Sequence, residues 1–281
     1  MRRRTMRKVM AVLVLPLLAL PAAAMAGVFY NNPQGHQAEP QAAMRHAWLV
    51  RVKPGAKAYF YQNVVTPGCP NLTAACKRKG YLLPGDVAVA SYTLGAFTVV
   101  DFVGPTGTPS DGAIETRLLE NVPAPQSGPM PGAQDWIGDW QDSAEQQITV
   151  TRSATPGVFS FMGDATWGAG DPERVRNGGV HLGNFAAYVK PTGSWGGFVA
   201  EVDAEIGGGE YDHGFHWPAL SAQKGLASDW TRVFPKDDAQ DCSASFRLLG
   251  PYLIAYTPVD ACGGMNVTFT GVYRKLAPRA R

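Results

Sequence analysis

Apolar residues fall in short runs bounded by glycine or proline, which is how β-strands read and not how helices read. In the first half these runs are Trp48–Val52, Ala58–Tyr61, Val87–Val89 and Phe97–Phe102, with Leu83-Pro84-Gly85-Asp86 as the turn that leads into the third. In the second half they are Ile148–Val150, Val158–Phe161, Phe198–Val202, Ser243–Leu248, Tyr252–Tyr256 and Asn266–Tyr273. The last sets Val267, Phe269, Gly271 and Tyr273 against Asn266, Thr268, Thr270 and Val272, a period of two. Gly250-Pro251 joins two of these runs as a hairpin. No long amphipathic helix is visible. The pattern predicts an all-β protein, with a small N-terminal barrel followed by an antiparallel β-barrel or curved sandwich.

The breaks between these regions are compositional. Residues 124–133 are rich in proline and glycine and read as an extended linker between a domain at 45–123 and one at 134–276. Residues 27–44 are polar and read as a disordered lead-in, and 277–281 as a tail. The first 26 residues differ from all the rest. Arg2, Arg3, Arg4, Arg7 and Lys8 precede an apolar run from Val9 to Leu20, and Ala24-Met25-Ala26 closes the segment. A basic start, a short apolar core and an Ala-x-Ala exit predict a secretory signal cut near Ala26. The run is too short to span a bilayer, which takes roughly 20 apolar residues, so no membrane span is expected after cleavage.

Export changes the charge. The whole chain is formally +2, but the mature part keeps 20 basic residues against 23 acidic ones, a net charge of about −3. Residues 45–123 carry eight basic and five acidic side chains, and residues 133–281 carry twelve and seventeen. Neither half has the dense Lys/Arg stripe needed to neutralise phosphates, which argues against nucleic acid as a partner. Cys69, Cys76, Cys242 and Cys262 all lie in the mature part. An even count in an oxidising compartment favours disulfides, and local pairing, Cys69 with Cys76 and Cys242 with Cys262, keeps each bridge within one domain. The second bridge would clamp the open end of the Gly250 hairpin. Neither spacing matches a zinc site.

The order of motifs in the first domain resembles a bacterial SH3-like domain over residues 47–122. Ala58-Tyr59-Phe60-Tyr61, then Leu82-Leu83-Pro84-Gly85-Asp86-Val87, Val100-Asp101-Phe102, Gly112-Ala113-Ile114 and a closing Leu118 or Leu119 carry the likeness. Such domains often hold a tryptophan where this chain has Ala113, and that residue helps form a ligand-facing surface. Gly138-Asp139-Trp140 looks like the Gly-x-Trp that opens lipocalin-like barrels. The ending from Cys262 to Lys275 resembles the closing strand of uncharacterised exported proteins of Gram-negative bacteria.

Candidate chemistry is sparse. Asp212, His213 and His216 could supply three metal ligands, but two His three apart around a glycine in a Gly-rich loop lack the spacing of a zinc-hydrolase helix. No nucleophile elbow or free thiol presents itself, so no catalytic residue, metal or other cofactor is expected. Glu201, Asp203 and Glu205 alternate as solvated acids do on a half-exposed strand. Trp195, His213, His216, Trp217 and Trp230 stand beside glycine or aspartate and are the candidate ligand-facing residues. The expected function is a non-catalytic periplasmic or secreted protein that binds a cell-wall component or a secreted protein. An inhibitor of, or immunity protein against, a cell-wall hydrolase is the sharper form. A metal-dependent hydrolase at the Asp212 loop and a small-ligand carrier barrel are the alternatives.

Overall fold

The computed structural model describes residues 40–55, 57–63, 66–123, 131–199, 242–257 and 262–277. The expected signal segment, most of the lead-in, and Asp212, His213, His216, Trp217 and Trp230 lie outside the described residues. Fifteen strands in two antiparallel sheets make the protein all-β, as the pattern predicts.

The first sheet is a half-barrel of seven strands: β1 (Trp48–Val52), β2 (Ala58–Tyr61), β3 (Lys77–Leu82), β4 (Val87–Leu94), β5 (Phe97–Val103), β6 (Pro109–Glu115) and β7 (Leu119–Asn121). Their order is β3-β2-β6-β5-β4-β1-β7. The Leu83–Asp86 turn forms as expected: the Asp86 carboxylate accepts from the Leu83 amide at 2.7 Å, and Gly85 takes φ 89°. Val50, Val52, Phe60, Leu82, Val100 and Ile114 fill the concave side.

The second sheet has eight strands: β8 (Gly138–Ser143), β9 (Gln146–Arg152), β10 (Phe159–Trp167), β11 (His181–Val189), β12 (Trp195–Val199), β13 (Ser243–Leu249), β14 (Tyr252–Tyr256) and β15 (Gly271–Lys275). It runs β11-β10-β9-β8-β15-β14-β13-β12, an up-and-down meander in which the first strand pairs with the last. A nearly closed barrel results. Its interior is filled with rings: Phe161 stacks on Phe246 at 4.7 Å, and Phe185 meets Phe269 edge-on at 4.7 Å and Phe198 at 5.1 Å. Strand β10 alternates buried and outward positions through Phe159, Phe161, Gly163 and Ala165, as a strand with one face on a core must.

Among the described residues there are three short α-helices: α1 (Pro40–His46), α2 (Ala133–Trp136) and α3 (Pro172–Arg176). The first corrects the reading of residues 27–44 as wholly disordered. Pro40 starts the helix, Ala42-Ala43-Met44 favour it, and Met44 is fully buried. The Arg247 guanidinium caps its end, donating to the carbonyls of Met44 at 2.5 Å, Ala47 at 2.9 Å and Arg45 at 3.1 Å.

The two sheets meet along an apolar seam. Met44, Ala47, Val89 and Val103 pack against Tyr252, Ile254, Tyr256 and Val272. Strand β14 reads Tyr-Leu-Ile-Ala-Tyr because both of its faces are buried, Leu253 and Ala255 in the barrel and Tyr252, Ile254 and Tyr256 in the seam. The Tyr252 hydroxyl donates to the Val87 carbonyl and the Arg274 guanidinium to that of Val103 at 3.0 Å, two hydrogen bonds across the seam. At the hairpin tip Gly250 has φ 57°, and a Cβ there would stand 2.7 Å from Leu49.

The strand expected over Asn266–Tyr273 begins only at Gly271. Threonine hydroxyls explain the difference. The Thr257 hydroxyl accepts from the Phe269 amide at 2.8 Å, and the Thr270 hydroxyl accepts from the Thr257 amide and donates to the Thr257 carbonyl. These side chains take the place of ladder bonds, so the chain stays extended without pairing.

Candidate functional site: a cationic tyrosine edge

Of the residues predicted to face a ligand, Trp195 alone is described. It opens β12, half-buried beside the seam, with the Arg247 guanidinium 5.1 Å from its ring centre. The cation that caps α1 is thereby packed against an indole, which is a structural use of tryptophan. Among the described residues no group of three His, Cys, Asp or Glu side chains is poised to hold a metal.

Both disulfides pair as expected, Cys69–Cys76 with Cα atoms 5.7 Å apart and Cys242–Cys262 with Cα atoms 4.6 Å apart. The first bridge bears on the face around Ala113. Ala113, at the position often held by tryptophan, is fully buried with Tyr61, Cys76, Phe97 and Val99. Tyr61 packs edge-on to Phe97 at 5.2 Å, and the Cys69–Cys76 loop lies on this cluster. A large ring at 113 would have no room, so the surface that the resemblance implies for a ligand is sealed here by covalently stapled chain.

What stays open lies one strand further, on β2 and β3. Tyr59 and Tyr81 are direct cross-strand partners with ring centres 5.4 Å apart. The Lys77 ammonium sits 3.7 Å from the Tyr59 ring centre and the Lys57 ammonium 4.2 Å from that of Tyr81. The Tyr81 hydroxyl, hydrogen-bonded to Lys57, raises that ammonium above its ordinary pKa, with the phenol's charge adding to the effect. Arg78 and Lys79 stand on the same strand, and Arg78 is paired with Asp111 at 3.6 Å and donates to its carbonyl. Five of the six residues of β3 are exposed, and no described strand pairs with its outer side. Lys77, Lys79 and Tyr81 therefore share one face of β3, with Tyr59 and Lys57 beside them, while Arg78 turns to the other face and its ion pair with Asp111. The sequence reading missed this site because Lys77-Arg78-Lys79-Gly80 lacks the apolar run that marks a strand. The signal was there in the density of charge between Cys76 and Tyr81.

A half-buried carboxylate marks the seam itself. Asp142, at the end of β8, lies over Gly271, where an added Cβ would be 2.7 Å from its Oδ2 and 3.5 Å from Gln146 Oε1. Gln146 donates to the Thr268 carbonyl at 2.8 Å, while its own Oε1 has no hydrogen-bond partner. Desolvation pushes the Asp142 pKa up to about 7, and the charge of Asp111, across the seam on β6, adds to the shift. Two acceptors facing one point suit a proton on Asp142.

At one end of the barrel Arg174 lies 4.1 Å from the Trp167 ring centre and His181 5.2 Å from it on β11. Leu182 and Met265 are exposed nearby, at 68% and 65%. At the other end Lys275 donates to the Gln134 and Asp135 carbonyls of α2 at 2.9 and 2.8 Å, and its ammonium is 4.9 Å from the Trp140 ring centre. Gly138, at φ 145°, leaves room for the Lys275 stem, and Trp140 donates to the Trp136 carbonyl at 2.9 Å. The Gly-x-Trp segment and the last strand thus form one latch.

Compared with family models, curated proteins and solved structures, the chain matches none.

Proposed function

We propose that this is an exported, non-catalytic binding protein of the periplasm that engages a cell-envelope component or a secreted protein through the β2–β3 edge. The observation that carries this reading is the edge itself: Lys57, Lys77, Arg78 and Lys79 around Tyr59 and Tyr81, where β3 has no partner on its outer side among the described residues. Exposed rings offer contact area at small entropic cost, and the cations select anionic partners. Two disulfides suit an oxidising compartment, and no described helix is long and apolar enough to cross a membrane. An inhibitor or immunity role against a cell-wall hydrolase is the sharper version. The Gly138, Trp140 and Lys275 arrangement supports a lipocalin-like reading of the barrel, but its ring-packed interior favours binding on the outside over a small-ligand carrier.

The test is a pull-down of the mature protein on insoluble peptidoglycan beside a lysozyme-inhibition assay, each repeated with Lys77→Glu/Lys79→Glu. Binding or inhibition that the double variant loses supports the reading; two blank assays remove the cell-wall role. The rival hydrolase at Asp212, His213 and His216 is tested by metal analysis of the purified protein. Stoichiometric zinc or copper would favour it.

A further inference from the structure

We infer that the β3 edge receives an extended acidic segment of a protein partner as an added strand. The inference rests on the binding role proposed above and names the chemistry of the partner. Strand β3 ends its sheet, and an unpaired strand edge is a template for backbone hydrogen bonding. Such edges ordinarily need blunting, and lysine is a common means. Here the cations do more than repel. Lys77 and Lys79 share the face of Tyr81, while Arg78 points to the other face and pairs with Asp111, so a basic strand laid beside them would oppose like charges. A strand with glutamate or aspartate at alternate positions would place its acids on one face, where the cross-strand cations stand. Backbone bonding would supply affinity and charge would supply selection.

The rings set the register. Tyr59 and Tyr81 form a step on the outer face, each with a lysine over it, so an apolar residue beside an acid would meet phenol and ammonium together. A polyanionic glycan could satisfy the charges but could not use the strand's amides and carbonyls in a ladder. That difference gives the experiment its arms.

The mature full chain is titrated with three probes: a peptide with glutamate at every second position, the same peptide N-methylated along one edge, and polygalacturonate. The acidic peptide is expected to bind with a salt-sensitive affinity. N-methylation is expected to weaken it by about tenfold or more, and Lys77→Glu/Lys79→Glu by a similar factor. Lys190→Glu, on the far sheet, should change nothing. Equal binding of both peptides, or binding of polygalacturonate alone, would overturn strand addition and leave the envelope-binding role standing. Failure of every probe, with no effect of the double variant on the peptidoglycan pull-down, would overturn both. The N-methylated peptide is compared on the unaltered protein, so the outcome does not depend on a variant folding.

Discussion

The two sheets handle the same problem, the exposed strand edge, in opposite ways. The barrel joins its first strand to its last, with Lys275 opposite Trp140, and fills its interior with stacked phenylalanines. Among the described residues the half-barrel ends without a partner strand on the three-residue β7 at one side and on β3 with its cations at the other. The barrel's sheet still ends on β11 and β12, but these lie against each other, with Gly196 beside Val189, so little edge is left open; β3 keeps an open, charged edge. The contrast sets a ring-packed core in the second sheet against an exposed cationic strand in the first, and the proposed binding role rests on the latter.

Phe161→Ala should test the first half of that contrast most severely. The ring is fully buried between Trp136 and Phe246, and its loss should cost about 3–5 kcal/mol in urea unfolding. A cost below about 1 kcal/mol would mean the barrel interior is not the stabilising core. The disulfides come next. Replacing Cys242 and Cys262 with serine opens a loop with a separation of 20 and should cost about 3 kcal/mol, against about 2.5 for Cys69 and Cys76 with a separation of 7. Differential scanning calorimetry of the two double variants would show the barrel bridge mattering more; the reverse order would shift the balance to the half-barrel.

Asp142 sharpens the comparison because it sits where the sheets meet. Its folded pKa of about 7 lies above the ordinary 3.8, so the folded state holds the proton more tightly than the unfolded one. The contribution is fully present below about pH 4 and is lost as pH rises through 7. The carboxyl faces Asp111 on β6, which is paired with Arg78 and stands opposite Asp101, with Gln146 on β9 and Tyr273 on β15 as its other polar neighbours. Asp142→Asn cannot ionise and should gain about 1–3 kcal/mol on the wild type between pH 4 and pH 8, partial exposure discounting the full shift. Parallel pH profiles from chemical denaturation would show that the seam does not carry this proton. Smallest of all should be Lys79→Glu, an exposed change expected to alter stability by less than about 0.5 kcal/mol while altering partner binding. A large loss of Tm would make β3 a structural strand first.

How much of this was legible beforehand depended on which faces each strand buries. Trp48–Val52, Ala58–Tyr61 and Tyr252–Tyr256 were read with their observed bounds because apolar runs between turn residues leave little choice. Both disulfides followed from proximity in sequence. The cationic edge did not, since Lys77–Leu82 buries a single residue and carries no periodic signal. Helix α1 was hidden in a polar segment, because the partner that orders it, Arg247, lies 200 residues away. The end of the chain misled in another way: the alternation over 266–273 is real, but the threonines spend their hydroxyls on backbone groups that a strand would have paired.

The Cys242–Cys262 bridge has a mechanical consequence. It closes a covalent ring around β13 and β14, so tension applied between the two ends of the chain passes through the sulfurs and bypasses the hairpin. Under oxidising conditions the 20-residue separation hides roughly 70 Å of contour length from a pulling force, which a reductant would release as one added extension step. The shielded hairpin carries Arg247, Tyr252 and Ile254, so tension would reach the other side of the seam, Met44, Ala47, Val89 and Val103, before it reached this one.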